Sequence, residues 1–461
     1  MAQTEQIPDR DDEADAYALS AELVREIREV MEAGDRERLV ELMAPLHPAD
    51  IADLLEQMDE GPRHQLIDLY GMEFDGEILS ELDESIREDV INALAPEVLT
   101  EAVRSLESDD VVDLLEDLDE PRQRAILDTL ERHDRVAVER AMSFPDQSAG
   151  RLMQREVVTA PEHWTVGAAI DFMRARLDLP EQFYHIVLVD PRHRPIGQVT
   201  LGKIMSADRV TRLVDLQEPT FRTIPAIQDE EDVAYAFNQY HLISAPVVDE
   251  DERLVGVITI DDAMAVLSRE NEEDILLLAG VGGESLADRT IQIARQRFPW
   301  LLVNLGTAIL ASLVIAQFED TLAAIVALAV LMPIVASMGG NAGTQSMTVA
   351  VRALATRDLT GANAIRVLRR EVIAAFLNGL VFAVIIGVIG TIWFGNPMLG
   401  VVIALAMVIN LVVAGLAGVL VPLALDKIGI DPALASGTFV TTVTDVVGFF
   451  AFLALAGVML L

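Results

Sequence analysis

The last third of the chain contains five long apolar stretches, and these constrain its fold more than any other feature. They span residues 300–318, 321–351, 372–394, 398–425 and 433–461. Each is about as long as the roughly 20 residues that an α-helix needs to cross a bilayer. A chain that crosses the hydrocarbon region must pair its backbone polar groups internally. The sequence therefore predicts an all-α domain of five transmembrane helices.

Asp445 is the one ionisable side chain between Pro432 and the C-terminus. A carboxylate inside a membrane helix costs about 2.5–3.5 kcal/mol, so it faces a protein interior or a water-filled path. Asn341, Gln345 and Asn410 are further oxygen donors in the second and fourth stretches. Together these side chains predict a cation pathway. The alternatives are a neutral, hydrogen-bonded carboxyl and, for the nearby glycines, tight helix packing.

Helix-breaking residues lie inside two of the stretches. Pro333 is followed by the glycine-rich segment SMGGNAGTQS at 337–346, and Pro422 lies in the fourth stretch. Breaks of this kind allow backbone carbonyls and helix ends to face an ion. We therefore expect irregular backbone beside the pathway.

The charge of the chain is concentrated before the membrane part. The sequence has 74 acidic and 34 basic residues, and only seven acidic and six basic ones lie from Pro299 onward. An acidic soluble part argues against nucleic acid as a partner and suits divalent cations. The chain has no cysteine, and all seven histidines precede Pro299. A metal in the membrane part must therefore use oxygen ligands, which favours Mg²⁺ or Ca²⁺.

The positive charges beside the apolar stretches predict the orientation of the chain. Residues 289–297 and 352–370 hold eight arginines, whereas the turns near residues 317–320 and 394–397 hold no basic residue. Cytoplasmic flanks carry the excess of basic residues. The N-terminus should lie in the cytoplasm and the C-terminus outside the cytoplasmic membrane. An odd number of spans favours a homodimer whose pathway lies at the two-fold interface.

The part before the membrane divides into segments of different pattern. We expect residues 1–17 to be disordered and 18–148 to form an acidic superhelical domain, because the helix-pair pattern of 47–69 returns at 108–130. Residues 149–268 contain a duplicated strand–turn–strand–helix pattern. Residues 269–298 should form a connecting helix and a basic juxtamembrane helix ahead of the transmembrane domain at 299–461.

The duplicated segment resembles a tandem pair of CBS domains, an α/β family. In its second copy Gly256, Thr259 and Asp262 match, with slightly shifted spacing, the Gly-x-[Ser/Thr]-x-x-Asp pattern of the family. This resemblance implies an adenine nucleotide such as ATP at Thr259 and Asp262. A pair used only for dimerisation and ion sensing is the alternative.

Three segments resemble the MgtE family of magnesium channels and transporters: PIVASMGGNAGTQ (333–345), RVLRRE (366–371) and GIDPALASGTFVTTVTD (429–445). The order of the domains resembles it too. The resemblance implies a homodimeric Mg²⁺ channel rather than an enzyme, with Asp445 holding hydrated Mg²⁺ and Asp431 near the cytoplasmic mouth. By the same resemblance Glu272, Glu273 and Asp274 fall in the connecting, or plug, helix.

The resemblance also implies gating by Mg²⁺, and the acidic charge of the soluble part leads to the hypothesis that cytosolic Mg²⁺ closes the channel by bridging carboxylates of the N-domain, the CBS pair and the connecting helix. We place the first two groups among Asp109, Asp110, Asp113, Asp261 and Asp262, although helix capping alone would also explain acidic helix starts. Two alternatives remain: a transporter of another divalent ion such as Co²⁺ or Mn²⁺, and a non-conducting membrane sensor.

Overall fold

A computed structural model describes residues 19–116, 118–176, 179–180, 182–281 and 290–461. They form two compact units that divide between Arg269 and Glu270, and each is described here by itself. The predicted disordered segment 1–17 and residues 282–289 of the predicted connecting region lie outside the described residues. The predicted fold class is confirmed: a multidomain membrane protein with a helical N-domain, an α/β CBS pair and an all-α five-helix membrane domain. The predicted domain boundaries stay predictions.

The N-domain is built from short amphipathic helices that share one apolar core. Its described helices are α1 (Ala21–Ala33), α2 (Arg36–Met43), α3 (Pro48–Glu56), α4 (Glu60–Tyr70), α5 (Glu77–Glu81), α6 (Glu84–Ala93), α7 (Pro96–Ser105), α8 (Ser108–Glu116), α9 (Glu120–Leu127) and α10 (Arg132–Ala141). No single pair buries its apolar face, so successive pairs stack and leave Leu39, Leu54, Leu79 and Leu115 fully enclosed.

A recurring side-chain contact shows that the helix pairs are structural repeats. Arg63 on α4 donates to the carbonyl oxygens of Leu55 (3.0 Å) and Met58 (2.8 Å), which end the preceding helix. Gln123 on α9 donates in the same way, eight and five residues back along the chain, at 2.8 and 3.0 Å. Each contact supplies a side-chain donor to carbonyls at a helix end, where intrahelical donors become scarce.

The CBS pair contains two three-stranded sheets with the same topology. Their strands are β1 (Thr159–Pro161), β2 (His185–Val189) and β3 (Pro195–Thr200), then β4 (Ile224–Pro225), β5 (Ser244–Val248) and β6 (Leu254–Thr259). In each sheet the first two strands are parallel and the last two are antiparallel. The helices of this part of the chain are, in sequence order, α11 (Ala149–Leu152), α12 (Val166–Ala175), α13 (Leu201–Ser206), α14 (Glu230–Tyr240) and α15 (Ile260–Leu278). The duplication predicted from sequence is therefore present in the fold.

The described residues of the membrane unit contain the end of α15, one short helix, α17 (Glu319–Ala324), and five long ones. The long helices are α16 (Thr290–Ala316), α18 (Ala327–Ala355), α19 (Ala364–Phe394), α20 (Pro397–Lys427) and α21 (Pro432–Leu460). By length and composition these five are the described helices that could cross a membrane. Their main apolar core lies between α18, α20 and α21.

The expected irregular backbone beside the pathway is absent from the described membrane helices. Helix α18 continues through Pro333 and the glycine-rich segment, and α20 continues through Pro422. The glycines instead allow close helix contact: a Cβ built on Gly418 would lie 2.7 Å from Ser346 Cβ. Close approach through small residues is the common way that membrane helices associate. The predicted juxtamembrane helix and the first span belong to one helix, since α16 continues through Pro299.

Candidate functional site

Polar side chains form a face on α18 and α21 of the membrane unit. Asn341 and Gln345 on α18 are exposed, as is Thr441 on α21, and Asp445 is partly buried. The two helices touch on another side of α18, where a Cβ built on Gly343 would lie 2.6 Å from a methyl carbon of Val440; Gly343 is about 200° around the helix from both Asn341 and Gln345. The structure therefore brings the predicted oxygen donors Asn341, Gln345 and Asp445 to helices in direct contact.

Two amides and a carboxylate of this polar face cannot be left against lipid. An unpaired polar group in hydrocarbon costs several kcal/mol, and a carboxylate is among the most costly side chains there. The face therefore requires either water or another protein surface beside it. Carboxylate and amide oxygens can accept hydrogen bonds from the water molecules that surround hydrated Mg²⁺.

Asn410, which we expected among the oxygen donors of the pathway, does not lie on this face. Its side chain is fully buried in the bundle, and its Nδ2 donates to the carbonyl oxygen of Val335 (2.8 Å). A buried amide needs hydrogen bonds because transfer out of water is unfavourable without them. The Nδ2 of Asn410 therefore contacts α18, and the role of Asn410 as an oxygen donor stays a prediction.

A second group of carboxylates lies at one end of the membrane bundle. Asp431 caps α21 by accepting from the backbone nitrogen of Ala433 at 2.7 Å. Burial raises the pKa of Asp274 on α15, and the negative charges of Asp431 and then Glu273 raise it further. Glu272 is exposed. The structure thus places Asp431, predicted at the pore mouth, beside the acidic residues predicted in the connecting helix.

Leu277 holds this end of α15 against the bundle. Its side chain is buried in a small apolar cluster with Met347, Ala433 and Val440, which come from α18 and α21. Burying a leucine side chain stabilises a contact by roughly 1.5–3 kcal/mol. The carboxylates of Asp274 and Asp431 are therefore kept close although their charges repel.

A third group of carboxylates lies where α8 of the N-domain meets the CBS pair. The N-terminal turn of α8 is tied to this contact, because the hydroxyl of Ser108 donates to Glu156 (2.8 Å) and accepts from the backbone nitrogen of Arg155 (2.9 Å). Gln154 donates a further hydrogen bond to Glu107. These links hold Glu107 and Glu156 beside the predicted residues. We call Glu107, Asp109, Asp110, Glu156, Asp261 and Asp262 the acidic cluster.

The electrostatics of the acidic cluster show that its carboxylates repel one another. Burial raises the pKa of Asp109 well above its usual value, and the charges of Asp262 and then Asp110 add to the rise. Burial and then Asp262 raise the pKa of Asp110 to about 7. The pKa of Asp262 is raised to about 6, mainly by burial, against a hydrogen bond from Thr259 that lowers it. Such a cluster is stabilised by protons or by a bound cation.

The structure also places one predicted regulatory residue at the edge of the acidic cluster and adds two. Asp113 forms an ion pair with Arg87 (2.8 Å), and its charge still adds to the raised pKa of Asp110. Glu107 and Glu156 were missed. Glu107 begins the acidic run before α8 and could have been included, whereas nothing in the sequence around Glu156 marks it, since its position depends on the tertiary contact.

Thr259 and Asp262, the predicted nucleotide contacts, bond to each other at the start of α15. The Thr259 hydroxyl donates to Asp262 Oδ2 at 2.5 Å, and the Thr259 backbone nitrogen lies 3.3 Å from the same oxygen. The Asp262 carboxylate therefore accepts from the residue just before α15, which is one half of a capping box. Asp262 thus belongs to the acidic cluster and to the predicted nucleotide motif.

One more group in the described part of the N-domain has potential metal ligands: Glu60, His64 and Asp89. Both oxygens of Asp89 already have partners, because Oδ2 lies 2.8 Å from Arg63 and Oδ1 lies 3.0 Å from His64. The guanidinium beside it disfavours a cation. An internal ion-pair network explains this group.

Family models match most of the chain in the order of its units. The model described as MgtE intracellular N domain matches residues 46–147, the CBS domain model matches 149–209 and 215–269, and the MgtE model, described as a divalent cation transporter, matches 332–455. A solved structure of the cytosolic domain of the Mg²⁺ channel MgtE in complex with ATP has a TM-score of 0.50 and 29% identity. It covers 53% of this chain and 99% of that chain.

Two full-length relatives are similar over nearly the whole chain. The magnesium transporter MgtE of Thermus thermophilus is 32% identical over 451 residues, which cover 96% of this chain and 99% of that one. The magnesium transporter MgtE of Bacillus subtilis is 30% identical over 412 residues, covering 89% and 91%. On these similarities, and on the helical N-domain, CBS pair and membrane helices described above, the chain belongs to the MgtE family.

Proposed function

We propose that this protein is a Mg²⁺ channel that mediates magnesium uptake across the cytoplasmic membrane and is closed by cytosolic Mg²⁺. The observation that carries the proposal is the polar face of α18 and α21, with Asn341, Gln345 and Asp445 inside an apolar helix bundle. Mg²⁺ keeps several waters and prefers oxygen ligands, so a carboxylate with amides around it can bind the hydrated ion. The names of the relatives support the choice of ion.

The pathway is proposed to lie between two copies of the chain. Within one protomer Asn341, Gln345 and Thr441 are exposed. A second copy related by two-fold symmetry would place the same side chains opposite them and enclose a polar path away from lipid. In this arrangement the N-terminus is cytoplasmic and the C-terminus lies outside, in agreement with the arginines beside α16 and α19.

Closure is proposed to use two carboxylate groups. The acidic cluster and the Asp274–Asp431 group are both held together against like-charge repulsion, as the raised pKa values of Asp109, Asp110, Asp262 and Asp274 indicate. A divalent cation between such carboxylates offsets the repulsion and stabilises the packed arrangement. When cytosolic Mg²⁺ falls, the equilibrium shifts toward an arrangement in which the carboxylates separate and the pathway opens.

The nucleotide proposal rests on Thr259 and Asp262. The related cytosolic domain that was solved with ATP supports an adenine nucleotide at the CBS pair. Because Asp262 also belongs to the acidic cluster, a nucleotide that contacts it would act on the same carboxylate as regulatory Mg²⁺.

The test is Mg²⁺ flux into proteoliposomes, with wild type beside Asp445→Asn and with Asp320→Asn as the control. Asp320 is an exposed carboxylate at the start of α17, outside the predicted spans. We expect flux in the wild type and in the control, closure by millimolar Mg²⁺ on the cytosolic side, and loss of flux in Asp445→Asn. Wild-type flux of Mn²⁺ or Co²⁺ without Mg²⁺ flux would identify another ion. Absence of flux for every divalent ion would instead support a non-conducting sensor.

A further inference from the structure

Asn410 occupies a space that glycines on two neighbouring helices leave for it. A Cβ built on Gly339 of α18 would lie 2.1 Å from Asn410 Nδ2, and one built on Gly448 of α21 would lie 2.7 Å from the same atom. Contacts this short are not tolerated, so neither position accepts a larger residue while the amide is present. The Asn410 side chain of α20 therefore lies between α18 and α21 and contacts both helices.

The hydrogen bonding of Asn410 is incomplete, which packing alone does not explain. Its Nδ2 donates to Val335 on α18, but its fully buried Oδ1 accepts no hydrogen bond from any residue that the structure describes. Leaving a buried acceptor unpaired is unfavourable by about 1–3 kcal/mol. A leucine, which has the same number of side-chain heavy atoms, would avoid this cost, because helices in a membrane do not need polar side chains to pack. The amide therefore points to a function other than stability.

The position of Asn410 relates it to the polar face. Gly448 follows Asp445 by three residues in α21, and Gly339 precedes Asn341 by two residues in α18. Residues three apart in a helix lie within one turn of each other. A shift of either helix at its contact with Asn410 would therefore move Asp445 relative to Asn341 and Gln345.

We propose that Asn410 is a positioning residue that sets the spacing of α18 and α21, and hence the selectivity of the pathway for hydrated Mg²⁺. The hydrogen bond to Val335 fixes the position of α18 along its own axis. The contacts with Gly339 and Gly448 fix how closely α18 and α21 approach α20. Selectivity between divalent ions of different size depends on the size and rigidity of the site. This inference rests on the proposed pathway but assigns Asn410 no contact with the ion.

The test measures the ratio of Mg²⁺ to Ca²⁺ flux in proteoliposomes, because a residue that only stabilises the fold would change the amount of active protein and not this ratio. Asn410→Leu keeps the branching and the number of side-chain heavy atoms and removes the hydrogen bond. An interhelical hydrogen bond in a membrane contributes on average about a factor of three to an equilibrium, so we expect the ratio to fall at least about threefold. Gly306→Ala on α16 is the control, since nothing lies within 4 Å of its Cβ.

A second pair of variants tests the packing part and covers the case in which Asn410→Leu does not fold. Gly448→Ala should lower the flux ratio through its overlap with the amide. Adding Asn410→Ser to Gly448→Ala makes room for the new methyl group and should restore part of the flux ratio. A wild-type ratio in any correctly folded Asn410→Leu or Gly448→Ala protein would overturn the inference. The proposed function would survive that result if the wild type conducts Mg²⁺ and Asp445→Asn does not.

Discussion

Regulatory Mg²⁺ should displace protons from the acidic cluster, and the number of protons can be worked from the structure. Asp110 has a pKa of about 7 and Asp262 of about 6, in both cases chiefly because they are buried. At pH 7 these values leave Asp110 about half protonated and Asp262 about one-tenth protonated. A cation binds the ionised carboxylates, so its binding should release about 0.6 proton at pH 7 and about 0.1 at pH 8. The raised pKa of Asp109 adds to both numbers.

The sign of the pH dependence follows from the same pKa values. Asp110 binds its proton more tightly in the folded protein than at its usual value of 3.8. Without Mg²⁺, ionisation therefore destabilises the packed arrangement as the pH rises from about 4 to about 7. A shift of this size corresponds to roughly 4 kcal/mol for Asp110 when fully ionised. Lower pH should therefore imitate Mg²⁺ and favour closure.

Calorimetric titration of the full-length protein in detergent measures the proton release. Mg²⁺ is added at one pH in two buffers of different ionisation enthalpy, and the difference in heat gives the number of protons. The double variant Asp110→Asn/Asp262→Asn should lose about 0.6 proton at pH 7 relative to wild type. Asp68→Asn, an exposed carboxylate on α4, should lose none. Equal proton release by the wild type at pH 7 and pH 8 would refute the reasoning.

Three further predictions concern closure and stability. Leu277→Ala should weaken the contact of α15 with the bundle by about 2–5 kcal/mol, so that closure in the flux assay needs more Mg²⁺. Neutralising Glu273 and Asp274 together should reduce Mg²⁺-dependent closure but leave flux at low Mg²⁺ intact, and unchanged inhibition would exclude them from regulation. Arg63→Leu should lower the free energy of unfolding by about 3–5 kcal/mol, because it removes the buried donor to the carbonyls of Leu55 and Met58 and leaves Asp89 with His64 alone; an unchanged thermal unfolding midpoint would contradict this.

Patterns that repeat along the chain were predictable from sequence. The five apolar stretches correspond to five long helices, and the duplicated strand pattern corresponds to two sheets of equal topology. The helix-pair repeat was also recognisable, although its structural basis was not. Arg63 and Gln123 differ in chemistry, yet both donate to the carbonyls eight and five residues before them. Only the fold shows that they are equivalent.

Properties that depend on which helices meet were not predictable. A run of glycines after Pro333 indicates either a broken helix or a closely packed one, and the choice depends on whether a partner is present. Asn410 and Val440 lie against glycines of α18, and Ser346 of α18 lies against a glycine of α20. Helix α18 therefore has close partners and remains helical. The same limit applies to the acidic cluster, in which Glu156 joins Asp109 only because α8 packs on the CBS pair.

Helix α21 connects the proposed regulation to the proposed pathway. Asp431 caps its first turn beside Asp274, and Asp445 lies fourteen residues further along the same helix. At 1.5 Å per residue the two carboxylates are about 21 Å apart along the axis. The helix is unbroken between them, so a displacement of its capped end moves the residues of the polar face with it. In the proposed mechanism, a cation between Asp274 and Asp431 therefore needs no further moving part to act on Asp445. The contact of Gly448 with Asn410 lies on the other side of Asp445, and the proposal takes it as the point about which α21 moves when the cation leaves.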